Sequence, residues 1–236
     1  MNKDQLRQYL EFYRDLGVRD LYRQPQPAVA TADPPSLPIV LSLAPDHDTL
    51  EKISDDIGDC RRCRLHEGRK KIVFGSGDPK AQLVFVGEGP GADEDEQGQP
   101  FVGRAGQLLT QMIEGTAHKE GIPIKREDVY ICNVVKCRPP ENRTPQPDEM
   151  EICGEFLFRQ LQVIKPKAIC ALGSTAVKAL LGTKEGVMKL RGKWLKWRDI
   201  PLIVTYHPSY LLRPYNQNAK KEAWEDLKKV LHYVYD

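Results

Sequence analysis

Residues 82–96 read QLVFVGEGPGADEDE, and this stretch decides the fold. Its opening, Gln82–Val86, is a Val- and Phe-bearing run that is continuous rather than alternating, the pattern of a strand buried on both faces. A glycine-rich turn and an acidic run follow it. Three more such runs, Val129–Val134, Ala168–Leu172 and Leu202–Thr205, are separated by helical patterns. The helices predicted are Arg104–His118, Pro147–Ile164, Ser174–Leu181 and Asn218–Tyr233, the last with Asn218 as its N-cap and a stripe of Ala223, Trp224, Leu227, Val230, Leu231 and Val234. Buried strands alternating with amphipathic helices predict an α/β fold, a three-layer α/β/α sandwich with a central four-stranded parallel sheet. The basic stretch from Lys189, KLRGKWLKWRDIPLIV, reads as a hairpin leading into the last strand.

Outward from this core the chain changes character. Leu6, Tyr9, Leu10, Tyr13 and Leu16 recur at helical spacing, so residues 1–22 read as an accessory helix. Residues 23–47, interrupted by Pro25, Pro27, Pro34, Pro35, Pro38 and Pro45, read as an extended linker, and residues 48–236 as the folded domain. The arm is either a plain tether or a docking element for a protein partner. No apolar run approaches the ~20 residues of a membrane helix, and the N-terminus lacks a signal-peptide core, so a cytoplasmic protein is expected. Thirty-five basic against 33 acidic residues leave a net charge of +2, which neither demands nor forbids a nucleic-acid partner.

In an open parallel sheet the ligand sits at the carboxyl ends of the strands. Here those ends lead into GEGPGADEDE, NVVKCRPPENR, LGSTA and YHPSYLLR, polar loops from which an active site can be built. The first invites a nucleotide-binding reading, but it matches no phosphate-cradle spacing and runs into Asp93, Glu94, Asp95 and Glu96, which would repel a polyphosphate. A small neutral ligand approached closely by backbone fits it better.

The six cysteines are too few for a disulfide scaffold at this length. Cys60 and Cys63 form a Cys-x-x-Cys pair; Cys137 follows the second strand and Cys153 lies in the next helix. Four thiolates suit zinc or an iron–sulfur cluster, and the single short-spaced pair tilts the choice toward a cluster. Cys132 and Cys170 fall inside predicted strands and read as small core residues.

Taken together, Cys60-Arg-Arg-Cys63, the loop GEGPGADEDEQGQPFVGRAG, the strand end NVVKCRPPENRTPQPDE leading to Cys153, LGSTA and YHPSYLLR resemble the uracil-DNA glycosylase superfamily, and within it the family 4 enzymes. The match runs in family order from about residue 59 to the C-terminus. The resemblance implies a monomeric DNA-repair enzyme carrying a [4Fe-4S] cluster on Cys60, Cys63, Cys137 and Cys153. It would flip uracil out of DNA, hydrolyse its N-glycosidic bond and leave an abasic site, acting in the cytoplasm at the nucleoid. By the same resemblance Phe101 would stack on the base, Asn133 would read its edge, and His207, with the backbone of Glu88–Gly89, would stabilise charge on O2. Gly89 stands where the best-known uracil glycosylases place a water-positioning Asp, which leaves Glu88 as the candidate for placing water. Glu94 would brace the loop, with Asn142. Ser174 would hold a phosphate, and Leu211 would wedge into the duplex with Arg213 beside it. The competing class is a cluster-bearing DNA damage-binding protein without turnover.

Overall fold

The structure, a computed structural model, describes residues 47–213 and 215–236. The accessory helix expected within 1–22 and the linker up to residue 46 lie outside the described residues. In chain order the elements are α1 (Leu50–Ile57), β1 (Ser76–Gly77), β2 (Leu83–Gly87), α2 (Ala92–Gln97), α3 (Arg104–Lys119), β3 (Tyr130–Asn133), α4 (Pro147–Ile164), β4 (Ala168–Leu172), α5 (Gly173–Leu181), α6 (Val187–Leu190), β5 (Trp194–Trp197), β6 (Ile200–Thr205), α7 (Pro208–Leu211) and α8 (Gln217–Tyr235).

The four predicted strands form the parallel centre of the sheet, in the order β3-β2-β4-β6. The sheet itself has six strands rather than four, because β1 pairs antiparallel outside β3 and β5 antiparallel outside β6. Neither edge strand could announce itself as a buried run. β1 is two residues long, and β5 alternates, with Trp194 exposed and Trp197 buried. The hairpin predicted from Lys189 is the β5–β6 pair.

Alternate strand residues face opposite layers. Val84, Val86, Ile169, Ala171, Leu202 and Val204 pack with Ile53 and Ile57 of α1, Leu157 and Leu161 of α4 and Val177 of α5. Leu83, Phe85, Ile131, Cys170 and Ile203 pack with Leu109 and Ile113 of α3 and with Leu227, Val230 and Leu231 of α8. Both faces are covered, which is why the strand sequences are apolar throughout. Cys132 and Cys170 are fully buried core residues, as their strand positions predict.

Two local expectations are corrected. α8 begins at Gln217 with Asn216 at its N-cap, and the Asn216 amide Nδ2 donates to the Tyr210 carbonyl (2.7 Å) instead of capping the helix. The acidic run, read as part of a polar loop, is helix α2, with Asp93, Glu94 and Asp95 in the first turn where the helix dipole favours negative charge, and with Asp93 and Glu96 exposed.

Register brings Gly87 opposite Asn133 and Leu172 opposite Thr205, so the four parallel strands end at one edge. The chain leaves β2 for β3 on one side and later returns to β4 on the other. The order therefore reverses between β2 and β4, and a crevice opens above that switch point.

Candidate active site and cysteine cavity

Above the switch point lies a pocket of 340 Å³ lined by Glu88, Gly89, Glu94, Phe101, Asn133, Asn142, Arg143, His207 and Ser209, among others. Every residue that the resemblance assigned to the base is here. Ser174, Leu211 and Arg213 do not line it.

Asn133 ends β3 and is 1% exposed. Its Oδ1 is buried and has no hydrogen-bond partner. An orphaned acceptor of this kind costs about 1–3 kcal/mol unless a ligand satisfies it. Gly87 makes room for it: a Cβ there would lie 2.4 Å from Asn133 Oδ1 and 2.5 Å from the Phe101 ring. Phe101 is 7% exposed and held at φ 53°, a left-handed conformation a bulky residue adopts only under constraint from its surroundings. That constraint is Glu94, whose carboxylate accepts from the backbone N–H groups of Gly91 (3.1 Å), Val102 (2.9 Å) and Gly103 (2.9 Å). Glu94 thus ties the glycine loop to the segment that carries Phe101. Asn142 takes no part in that brace; its Oδ1 accepts from Arg138 Nε (2.8 Å).

His207 follows β6, with its ring centroid 5.6 Å from that of Phe101. Its Nδ1 accepts from the Ser209 backbone N–H (3.2 Å) and lies 2.7 Å from Ser209 Oγ. An Nδ1 that accepts leaves the proton of the neutral ring on Nε2. Burial pushes the imidazole down to about 4, so at neutral pH the ring is uncharged and its Nε2–H is a donor. Gly173, at φ +86°, lets α5 start hard against this histidine, since a Cβ there would come 2.9 Å from His207 Cβ.

The Glu88–Gly89 turn is fixed to β3 by Val134 N–H donating to Gly87 O (3.0 Å) and Val135 N–H to Glu88 O (3.2 Å). The Glu88 carboxylate accepts from Thr175 Oγ in the first turn of α5. A Cβ on Gly89 would meet Val135 Cγ2 at 2.7 Å, so the glycine lets the turn lie close against the chain that continues β3.

Ser174 is exposed in the first turn of α5, but α5 begins one residue earlier, with Leu172 at the cap position, so Ser174 is not the N-cap. Leu211 is 1% exposed and packs with Tyr206, Ala219 and Ala223, so this turn does not present it as a wedge. The α7 turn buries Pro208 and Leu211 and leaves Tyr210 on the outside, 37% exposed. Tyr210 stacks on Tyr206 at 5.3 Å and 18°, with the Arg213 guanidinium 5.8 Å from its ring.

The cysteines gather behind the pocket. Cys60, Cys63, Cys137 and Cys153 line one cavity whose other walls include Ile57, Ile72, Ile152 and Phe156. Among the described residues no three His, Cys, Asp or Glu side chains converge on one ion-sized point, so the four sulfurs border a space instead of a single centre. Burial raises the Cys63 and Cys137 thiols and pushes Cys153 up to about 12. Two N–H groups oppose that trend by donating to sulfur: Arg69 Nη1 to Cys137 Sγ (3.3 Å) and Lys136 N–H to Cys153 Sγ (3.2 Å). Arg143, which lines the pocket, binds Glu149 in a bidentate pair (2.8 and 2.7 Å), and Glu149 lies on α4, the helix that also carries Cys153. Thr175, Tyr210 and Arg69 were not singled out from sequence. Two of them sit inside motifs already quoted, but only burial and contacts distinguish them from their neighbours.

A family model of the uracil DNA glycosylase superfamily matches residues 74–228. The Type-4 uracil-DNA glycosylase of Thermotoga maritima is 44% identical over 189 residues, covering 79% of this chain and 95% of that protein. That of Sulfurisphaera tokodaii is also 44% identical, over 191 residues, covering 78% and 84%. A Type-5 uracil-DNA glycosylase of Pyrobaculum aerophilum is 31% identical over 168 residues, covering 66% and 71%. The type-4 proteins share more of their residues with this chain over more of its length, and the chain belongs to the uracil-DNA glycosylase superfamily, on its type-4 branch.

Proposed function

We propose that this chain removes uracil from DNA by hydrolysing the bond between N1 and C1′ of the flipped-out nucleotide. Free uracil and an abasic site are the products. The observation that carries this reading is the buried, partnerless amide oxygen of Asn133, a residue that lines the pocket with Phe101 and His207. Uracil offers N3–H to that oxygen and O4 to the amide Nδ2. Cytosine presents an amine and an unprotonated N3 at the same places, leaving both groups unsatisfied. Phe101 supplies the stacking face.

As the glycosidic bond breaks, its electron pair moves onto uracil and positive charge develops at C1′. The neutral His207 Nε2–H donates to O2, where negative charge grows, and the N–H groups of the Glu88–Gly89 turn share that load. Glu88 places the water that attacks C1′; the water's proton leaves to this carboxylate and its oxygen forms the new bond. Outside the pocket, Ser174 and the first turn of α5 take a backbone phosphate. Tyr210, in place of the buried Leu211, fills the space left in the duplex, with Arg213 beside it.

Cys60, Cys63, Cys137 and Cys153 fit a [4Fe-4S] cluster by donor chemistry: four sulfurs around one cavity, with N–H groups directed at two of them. Such a cluster would supply a cross-link among the segment before β1, the loop after β3 and α4. Glycosidic hydrolysis is redox-neutral and calls for no electron from it. The work of the chain would be done at cellular DNA, by a monomer, with the N-terminal arm free to engage a protein partner.

Release of free uracil from a labelled oligonucleotide by protein purified anaerobically tests the reading. Uracil and an abasic site are expected, together with iron and sulfide in near-equal amounts. Tight binding of uracil-containing DNA with no release would instead identify a damage-binding protein. Stoichiometric zinc without iron would overturn the cluster assignment.

A further inference from the structure

We infer that Thr175 is a positioning residue for hydrolysis, holding the Glu88 carboxylate so that its second oxygen is free for the attacking water. The inference rests on the proposed water-placing role of Glu88. Thr175 is 1% exposed, and its one hydroxyl proton is donated to Glu88 Oε2. Glu88 reaches the pocket from the end of β2, and Thr175 approaches it from the end of β4, so the contact spans the point where the strand order reverses.

Backbone and side chain of Glu88 are thereby fixed from opposite sides: Val135 N–H holds its carbonyl and Thr175 its carboxylate. A half-buried glutamate, with three rotatable side-chain bonds, could otherwise turn toward solvent. The same first turn of α5 abuts His207 through Gly173. One short helical turn therefore spaces the group that places water from the group that stabilises the leaving base. Productive geometry in such a site tolerates little displacement, and misplacement by about 1 Å costs on the order of 100-fold.

Single-turnover excision is the readout, with affinity for an uncleavable uracil analogue in DNA measured beside it. Thr175→Val keeps the shape and removes the hydroxyl; Thr175→Ser keeps the hydroxyl and removes the methyl. Thr175→Val is expected to lose about tenfold in rate, the loss of one hydrogen bond to a charged group, with affinity unchanged. Thr175→Ser should recover most of the parental rate, and Thr175→Val combined with Glu88→Gln should be no slower than Glu88→Gln alone. Thr175→Ala, which also lacks the hydroxyl, repeats the measurement should the valine variant fold poorly. A parental rate in the hydroxyl-free variants while Glu88→Gln is slow overturns the positioning role, as does equal loss in Thr175→Ser. A parental rate in Glu88→Gln overturns the water-placing role of Glu88 itself, and the inference with it.

Discussion

Asn133 has one buried amide oxygen without a partner, and at the scale of single residues the proposed uracil specificity rests on that atom. An aspartate there is nearly isosteric but loses the donor for uracil O4 and directs charge at it. Asn133→Asp is therefore expected to lose most uracil excision, at about 1–3 kcal/mol for each mismatched buried group. Paired oligonucleotides bearing uracil or cytosine at one site measure it, and parental uracil activity in both Asn133→Asp and Asn133→Ala would show that the base is read elsewhere. His207 yields a prediction in both rate and pH. Removing it should cost about 100–1,000-fold in single-turnover rate with binding spared. Its imidazole takes up a proton near 6.5 in the unfolded chain but only near 4 in the folded one. Between those values the unfolded state binds more protons, so this group lowers folding stability as pH falls through that window. The Nε2–H donor persists across the same range. Nitrogen chemical shifts of His207 should report a neutral ring at pH 5.5, and a midpoint near 6.5 would contradict the buried donor.

At the scale of elements, the carboxylate of Glu94 makes one unit of α2, the glycine loop and the Phe101 segment. Three backbone N–H groups lose their acceptor in Glu94→Ala. The expected cost is about 1–3 kcal/mol, which in a domain of this size is roughly 2–4 °C of melting temperature per kcal/mol. Excision should fall further than stability, because Phe101 is held in its left-handed conformation by this brace. A thermal melt and a single-turnover assay on the same protein check both halves. A melt lowered as expected with parental excision would mean that the stacking face does not depend on the brace. The α7 turn shows how an element decides between neighbours in sequence. Leu211 and Tyr210 are both large and adjacent, and the short helix places one in a core and the other on the surface.

For the whole molecule, the distribution of charge matters more than its sum of +2. Arg143 is engaged by Glu149 and Arg191 by Asp226, while Arg138 bonds Asn142. Lys193 and Arg213, by contrast, carry no ion pair among the described residues. With these two and the first turn of α5 as phosphate contacts, the slope of log K against log salt should be about −2 to −3, near −0.9 per phosphate. Titration of an uncleavable uracil duplex across salt concentrations measures it, and a slope steeper than about −5 would require a basic surface not identified at this edge.

The sequence by itself determined the parallel centre of the fold and the edge at which the site lies. A strand covered on both faces must be apolar along its whole length, and the loops at its carboxyl end are then the polar ones. Through the family resemblance it also pointed to Glu88, Gly89, Phe101, Asn133 and His207, all of which line one pocket. Tertiary structure decided the rest. The edge strand Ser76–Gly77 exists through pairing with a neighbour, which no periodicity over two residues can reveal, whereas Trp194–Trp197 lies in the hairpin that the sequence predicts from Lys189. Thr175 acquires its role from a carboxylate 87 residues away, and Arg69 from a sulfur 68 residues away. Leu211 is buried and Tyr210 exposed because burial depends on what α7 packs against. Contacts between residues distant in sequence are made only when the sheet brings its strand ends together.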